Sequence, residues 1–296
     1  MTVTVLELIE ASAAQLEAAG LTFENGFGQG TTNAFDEAAW LVLWQLGLPL
    51  DDLDSVSNRP VAQAEIAQVA TLLGARVSTR RPAAYLTQEA WLMGVPFYVD
   101  ERVIIPRSFI AELLVDESID PWLGEDTLRV LDLCTGNGSL AVLAAMTYPD
   151  VLIDAADISL DALAVARINV DRHALASRIT LIESDGLAAC HGLTNGGYDL
   201  ILCNPPYVNA ASMAALPAEF KAEPALALGG GSDGMDFIRS LFLTAAAQMN
   251  ENAVLVLEIG NERDNFERAF PQMEPLWFEA SAGSDQVMLI TREQLV

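Results

Sequence analysis

Leu128-Arg-Val-Leu-Asp-Leu-Cys-Thr-Gly-Asn-Gly-Ser-Leu-Ala141 decides the fold. Its apolar start predicts a strand over 128–133. Gly136 and Gly138 permit a tight turn and let a ligand approach the backbone closely. A helix over 138–147 follows, with free amide N–H groups at its start. Beyond this stretch the pattern alternates. Strands are predicted at 151–156, 179–183, 198–203, 253–259 and 286–291, and helices at 160–174, 234–250 and 261–270. Near-continuous apolar strands separated by helices imply a mainly parallel sheet covered on both faces. Such sheets bind ligands at the carboxyl ends of their strands.

Towards the amino terminus the periodicity is helical. Leu6, Ile9, Ala13, Leu16 and Ala19 recur at helical spacing. A second helix is expected over 34–46, before Gly47 and Pro49. A third is expected from about Pro60, a residue suited to a first helical position, towards Arg80. Trp91–Asp100 and Glu101–Pro106 look like two extended segments, a hairpin between domains. The chain thus divides into a helical domain at 1–88, a hairpin linker at 89–105 and an α/β domain at 106–296.

The composition narrows the class. Of the 296 residues, 52% are hydrophobic and 19% charged, which suits a packed globular chain. The longest apolar run, about Ala38 to Leu50, is interrupted by Gln45 and too short to cross a bilayer. No basic patch precedes an apolar core at the amino terminus, so a cytoplasmic location is the expectation. Cys134, Cys190 and Cys203 form no CxxC pair and no zinc spacing. No metal is therefore expected, and the cysteines read as small buried residues. His173 and His191 have no ligand partners nearby in sequence and read as structural or surface residues. The net charge of −26 opposes nucleic-acid binding, which rests on Lys and Arg. It would attract a basic protein; solubility or salt adaptation accounts for it equally.

The glycine loop alone fits either a dinucleotide or another nucleoside-bearing cofactor. Asp157 stands 21 positions after Gly136, at the end of the second strand. There it can accept both ribose hydroxyls, or serve as a helix N-cap, a role open to Ser159 as well. Asp185, in Glu183-Ser-Asp-Gly186, either accepts from an adenine amino group or forms a plain turn. A dehydrogenase and a methyltransferase remain level at this point.

The fourth strand ends in Asn204-Pro-Pro-Tyr207. Two prolines cannot continue a central strand. They make a rigid turn where the cofactor's reactive atom would lie. The Asn204 side-chain oxygen and the Pro205 carbonyl are two acceptors, and Tyr207 offers an aromatic wall. Two fixed acceptors suit a planar NH2 group. Held through both N–H groups, an amide nitrogen is oriented and pushed towards a pyramidal form, its lone pair aimed at a methyl donor.

Asp132-Leu-Cys-Thr-Gly-Asn-Gly138, Asp157-Ile-Ser159 and Asn204–Tyr207 resemble the class I amino-methyltransferases. Val103-Ile-Ile-Pro-Arg-Ser108 and Glu223-Pro-Ala-Leu-Ala-Leu-Gly-Gly-Gly-Ser-Asp-Gly234 are similar to the protein N5-glutamine methyltransferases. The likeness covers nearly the whole chain. It implies a Rossmann-like domain with a mainly parallel seven-stranded sheet, a small helical domain that recognises substrate, and S-adenosyl-L-methionine as cofactor. It implies that Asp132, Cys134, Thr135, Gly136, Asn137, Gly138, Asp157, Ile158, Asp185, Gly186 and Asn204 surround that cofactor. Asn204, Pro205, Pro206 and Tyr207 would hold the glutamine amide. Release-factor enzymes of the family usually follow Pro-Arg with Pro-Glu-Thr-Glu and often carry a bulky residue where Gly186 stands. Here Pro106-Arg107 is followed by Ser108-Phe-Ile-Ala-Glu. That segment, Arg81-Pro-Ala-Ala-Tyr-Leu-Thr-Gln-Glu-Ala-Trp91 and Leu289-Ile-Thr-Arg-Glu-Gln-Leu295 resemble the branch acting on the third protein of the large ribosomal subunit. The implied partner is that basic protein. The alternatives are the GGQ glutamine of release factors and, less favoured, the adenine N6 of DNA. Fifteen basic residues against 41 acidic ones argue against a nucleic-acid channel.

Overall fold

The computed structural model describes residues 2–124, 126–190 and 197–296, so His191 lies outside it. The chain forms two compact units, residues 1–90 with 216–222, and 91–215 with 223–296.

The first unit is helical. Helices Val5–Ala18, Ala34–Gln45, Leu53–Val56, Gln63–Thr79 and Ala83–Thr87 pack around Val5, Ile9, Leu16, Leu41, Val42, Val69 and Leu73. The first helix opens on a capping box, in which Thr4 and Glu7 satisfy each other's backbone N–H. The long helix starts at Gln63, later than the proline at 60 suggested. Pro60 instead bridges Thr4, and the Val61 N–H donates to the Val3 carbonyl at 2.9 Å, which holds the backbone extended.

Residues 216–222 complete this unit, an assignment that the sequence reading did not make. Their single helical turn, Ala218–Lys221, supplies a fully buried carboxylate, Glu219. Arg76, also fully buried, reaches Glu219 at 2.9 Å, Glu37 at 2.8 Å and the Gly26 carbonyl at 2.7 Å. Arg80 adds two more bonds to Glu219, at 2.5 and 3.0 Å. Burial raises the Glu37 carboxyl, and Arg76 only partly offsets it. Burial acts likewise on Glu219, but two arginines outweigh it and hold that group below its ordinary range.

A two-stranded hairpin, β1 (Glu89–Leu92) and β2 (Val95–Tyr98), turns at Met93-Gly94, both with positive φ. That two-residue turn suits the natural strand twist. The turn was expected near 100–101, and residues 101–106 form no strand. Asp100 there accepts from Tyr98 and Arg102.

The second unit is an α/β sandwich. Its strands are β3 (Arg129–Leu133), β4 (Leu152–Asp157), β5 (Ile179–Glu183), β6 (Tyr198–Cys203), β7 (Met249–Glu258), β8 (Leu276–Trp277) and β9 (Val287–Thr291). Their order is β5-β4-β3-β6-β7-β9-β8. The strands from β5 to β7 are parallel, and β9 runs antiparallel to both β7 and β8. Along β3, Val130 faces one core and Leu131 and Leu133 the other, the alternation of a strand buried on both faces. The predicted helix over 234–250 is shorter, Asp236–Thr244 with a tighter turn at 245–248. Residues 249–250 extend β7, because the Gly197 N–H donates to Asn250 and Tyr198 pairs with Met249. β8 was not predicted, since two residues carry no periodicity. The chain leaves β3 towards β4 and β5, then returns to place β6 on its other side. This reversal opens a crevice between the ends of β3 and β6.

Candidate functional site

A pocket lies at those strand ends, wholly within the second unit. Its wall includes Cys134, Thr135, Gly136, Asn137, Ser139, Asp157, Ile158, Asp185, Gly186, Asn204 and Pro206. Asp132, Gly138, Pro205 and Tyr207 are not part of that wall.

The β3 turn explains this partition. Gly136, at φ +54, has nothing within 4 Å of where a Cβ would stand, so its backbone is open to the pocket. Gly138, at φ +80, meets Ala166 instead, at 3.2 Å, and lets helix Ser139–Thr147 pack on helix Leu160–Arg172. Asp132 is buried behind the loop. Its Oδ2 accepts the Thr135 hydroxyl at 2.5 Å and the Ala141 N–H at 2.9 Å. Burial pushes its carboxyl up to about 7. Asn137 uses its side-chain oxygen on the Ser139 N–H at 3.1 Å, and its buried Nδ2 has no partner among the described residues. Asn169, fully buried and unremarked in the sequence, donates to the Asn137 carbonyl at 2.8 Å and to the Tyr98 carbonyl at 3.0 Å. It ties the loop to the hairpin, which His173 also braces through the Pro96 carbonyl at 2.9 Å.

Asp157 closes β4. Its Oδ2 accepts the Gly136 N–H and its Oδ1 the Ser159 N–H, both at 2.9 Å. Each oxygen keeps a further lone pair. Burial raises this carboxyl, while the backbone donors of Ser159, Gly136 and Ile158 oppose the rise. Ser159 caps the following helix on the Ala162 N–H, so Asp157 is not needed as a cap. The side chain of Asp185 is exposed at the rim, and Gly186 beside it has φ +54 and open space around it. Ser184 shapes this turn by donating to the Gly186 carbonyl at 2.7 Å.

Opposite, Arg107 grips Glu223 through two bonds of 2.6 and 2.7 Å, and Glu223 also accepts the Ile105 N–H at 3.0 Å. This joins two wall segments, 103–108 and 224–227. The turn after β6 rests on glycines. A Cβ on Gly230 would stand 2.7 Å from the Pro206 carbonyl, one on Gly234 would stand 2.2 Å from the Tyr207 carbonyl, and one on Gly260 would stand 2.6 Å from the Tyr207 ring. The ring therefore lies back against Gly260, with its hydroxyl 3.5 Å from Glu258.

Residues 111–232 match the methyltransferase small domain. The ribosomal protein uL3 glutamine methyltransferase of Bordetella pertussis is 49% identical over 99% of this chain and 96% of its own. Those of Burkholderia pseudomallei and Bradyrhizobium diazoefficiens are 47% and 41% identical over 99% of the chain, covering 95% and 92% of their own lengths. The chain belongs to the uL3 glutamine methyltransferase family. It is a methyltransferase with the Rossmann-like fold that its sheet order displays. The human Mettl16 catalytic domain bound to an RNA hairpin shares that fold, with a TM-score of 0.52, 14% identity and coverage of 77% of this chain and 80% of that one. Within the family framework, Asn169 and Glu258 are residues that no motif had flagged, and Glu223 opened a quoted segment without being given a role. At Glu258 the signal was a carboxylate ending the apolar run Val254-Leu-Val-Leu257.

Proposed function

We propose that this chain transfers a methyl group from S-adenosyl-L-methionine to the side-chain amide nitrogen (N5) of a glutamine in ribosomal protein uL3. The observation that carries this is the Asn204–Tyr207 turn, rigid and seated on glycines, with Asn204 beside the glycine loop in one pocket. Membership of a family whose relatives carry that activity in their names supports it.

The pocket suits the cofactor. Gly136 leaves backbone exposed, Asp157 retains lone pairs for ribose hydroxyls, and the buried Asn137 Nδ2 has no partner among the described residues. Residues 134–138 with Asp132 behind them, then Asp157, Ile158, Asp185 and Gly186, would hold it. Bound there, it supplies an electrophilic methyl on a sulfonium sulfur.

The amide nitrogen is a poor nucleophile, because its lone pair is delocalised into the carbonyl. Asn204 accepts one amide N–H through its side-chain oxygen, and the Pro205 carbonyl accepts the other. Pro206 and Tyr207 keep both acceptors in place. Two bonds in this geometry turn the lone pair out of conjugation and towards the methyl group. No strong base is needed afterwards, since an N-protonated amide loses its proton readily to water. The net charge of −26 favours encounter with a basic protein and opposes nucleic acid. The helical unit, 1–88 in the sequence reading, would select the substrate. A ribosomal protein as substrate points to a cytoplasmic enzyme; separately, among the described residues no helix is long and apolar enough to cross a membrane.

Single-turnover methylation of uL3 tests the clamp. Asn204→Ala should keep most cofactor affinity and lose about 10²–10³-fold in rate. Asn204→Asp keeps an acceptor but adds charge near the sulfonium and should also fail. A wild-type rate in either variant would refute the clamp.

A further inference from the structure

Glu258 is the last residue of β7, and its side chain is buried behind the pocket wall. Its Oε2 accepts the Ser108 hydroxyl at 2.6 Å and the Phe109 N–H at 2.9 Å. Its Oε1 faces the Tyr207 hydroxyl at 3.5 Å. Arg107, the cation whose charge acts on Glu258, also bonds Glu223 through two guanidinium nitrogens. A carboxyl group placed so deep is costly unless its bonds serve a purpose. Nothing in the amide clamp as described uses it.

Its position supplies the purpose. The Tyr207 ring is pressed on Gly260, where any Cβ would come within 3.1 Å of Cε2, Cζ and the hydroxyl oxygen alike. Gly260 limits the ring from one side, and the carboxylate holds its tip. Pro206 and Asn204, which face the pocket, precede that ring in the same rigid turn. Ser108 and the backbone of Phe109 orient the carboxylate in turn.

We propose that Glu258, set by Ser108, is a positioning residue for methyl transfer that anchors the Asn204–Tyr207 turn through the Tyr207 hydroxyl. This rests on the function proposed above and deepens it. Glu258 acts through Tyr207 and not on the substrate. In its ionised form the carboxylate accepts from all three donors. Protonation forces one of those contacts to reverse. Burial pushes this carboxyl up to about 7, with Ser108, the backbone of Ile110 and Phe109, and Arg107 opposing the rise. The titratable groups facing it are Tyr207 and Arg107, with Glu223 beyond Arg107. Burial and the charge of Glu258 raise the Tyr207 phenol far above its ordinary value, so that it stays a donor. The turn is therefore held best above the carboxyl's pKa.

Single-turnover methylation of uL3 by the full chain tests this, using Glu258→Gln, Tyr207→Phe, the double variant and Ser108→Thr. Glu258→Gln should lose roughly 10- to 10²-fold in kcat, the scale of a small misplacement at a reacting centre. KM for uL3 and Kd for S-adenosylhomocysteine should stay within about threefold, since this residue lies off the wall. Tyr207→Phe removes only the hydroxyl, so it should fold even if Glu258→Gln does not, and should show the same loss. The double variant should be no worse than the poorer single variant, because both remove one contact. Wild-type kcat should rise with pH through about 7, an acid limb absent from Glu258→Gln and Tyr207→Phe. Ser108→Thr, which retains the hydroxyl, should keep most activity. Wild-type kcat in Tyr207→Phe, additive losses in the double variant, or a loss confined to cofactor affinity would each overturn the anchor. Failure of the wild-type chain to methylate uL3 would instead overturn the proposed function, and the anchor with it.

Discussion

Removing the Asp157 carboxylate should weaken cofactor binding in a way that identifies which bonds are lost. The carboxylate already accepts the Gly136 and Ser159 N–H groups, one on each oxygen at 2.9 Å. One lone pair remains on each oxygen for a ribose hydroxyl. A hydrogen bond to a charged group contributes about 1.5–3 kcal/mol, and two on one carboxylate are not additive. A total near 3 kcal/mol is therefore expected, or about 10²-fold in Kd. Asp157→Ala should show that loss. Asp157→Asn should be nearly as damaging, because its NH2 group must face one of the two backbone donors. Binding should also weaken as pH falls, beginning at a higher pH than for an exposed aspartate, because burial raises this carboxyl. Calorimetry with S-adenosylhomocysteine measures each effect, with thermal melts to confirm folding. A Kd within about threefold of wild type in both variants would remove Asp157 from the ribose site.

Two stability predictions follow from the buried charges. Arg76→Met leaves Glu37 and Glu219 buried without their shared cation and should cost about 3–5 kcal/mol in urea unfolding. Arg59→Ala, which breaks a partly exposed pair with Glu65, should cost under about 1 kcal/mol; similar losses in the two would refute the special weight of Arg76. Burial raises Glu258 and Asp132 to about 7 from 4.5 and 3.8. Between those values the folded state holds protons that the unfolded state has released, so stability should fall as pH rises towards about 7. Carboxyls held below their ordinary range, such as Asp233 at about 2, titrate outside that window. Glu258→Gln and Asp132→Asn should each flatten the fall; a wild-type stability that climbs across the window would contradict it.

Much of the second unit was legible because its central strands are buried on both faces. The mainly apolar runs at 129–133 and 198–203, each interrupted by one aspartate, read as strands, and the glycines and prolines after them marked the crevice. Spacing pointed to Gly136, Gly138 and Asp157, while Cys134, Thr135 and Asn137 came only from the family resemblance. What escaped depended on distant partners. Glu219 meets Arg76 from 143 positions away, and Glu258 meets Ser108 from 150, separations that no local pattern records. The hairpin was misplaced because Met93 accepts a positive φ that its side chain does not advertise. The outward promise of Tyr207 also misled in part. The Gly260 that makes room for its ring lies 53 positions on and reads as an ordinary strand-ending glycine.

Methylation of a uL3 glutamine by this chain can be observed in one reaction. Incubating the purified chain with S-adenosylmethionine and unmodified uL3, then mapping the product by peptide mass spectrometry, tests it directly. The expected product is uL3 with one added CH2 on a single glutamine side chain, absent with Asn204→Ala. No gain on uL3 under conditions where the chain binds S-adenosylhomocysteine, or a methyl group on the GGQ glutamine of a release factor instead, would contradict it.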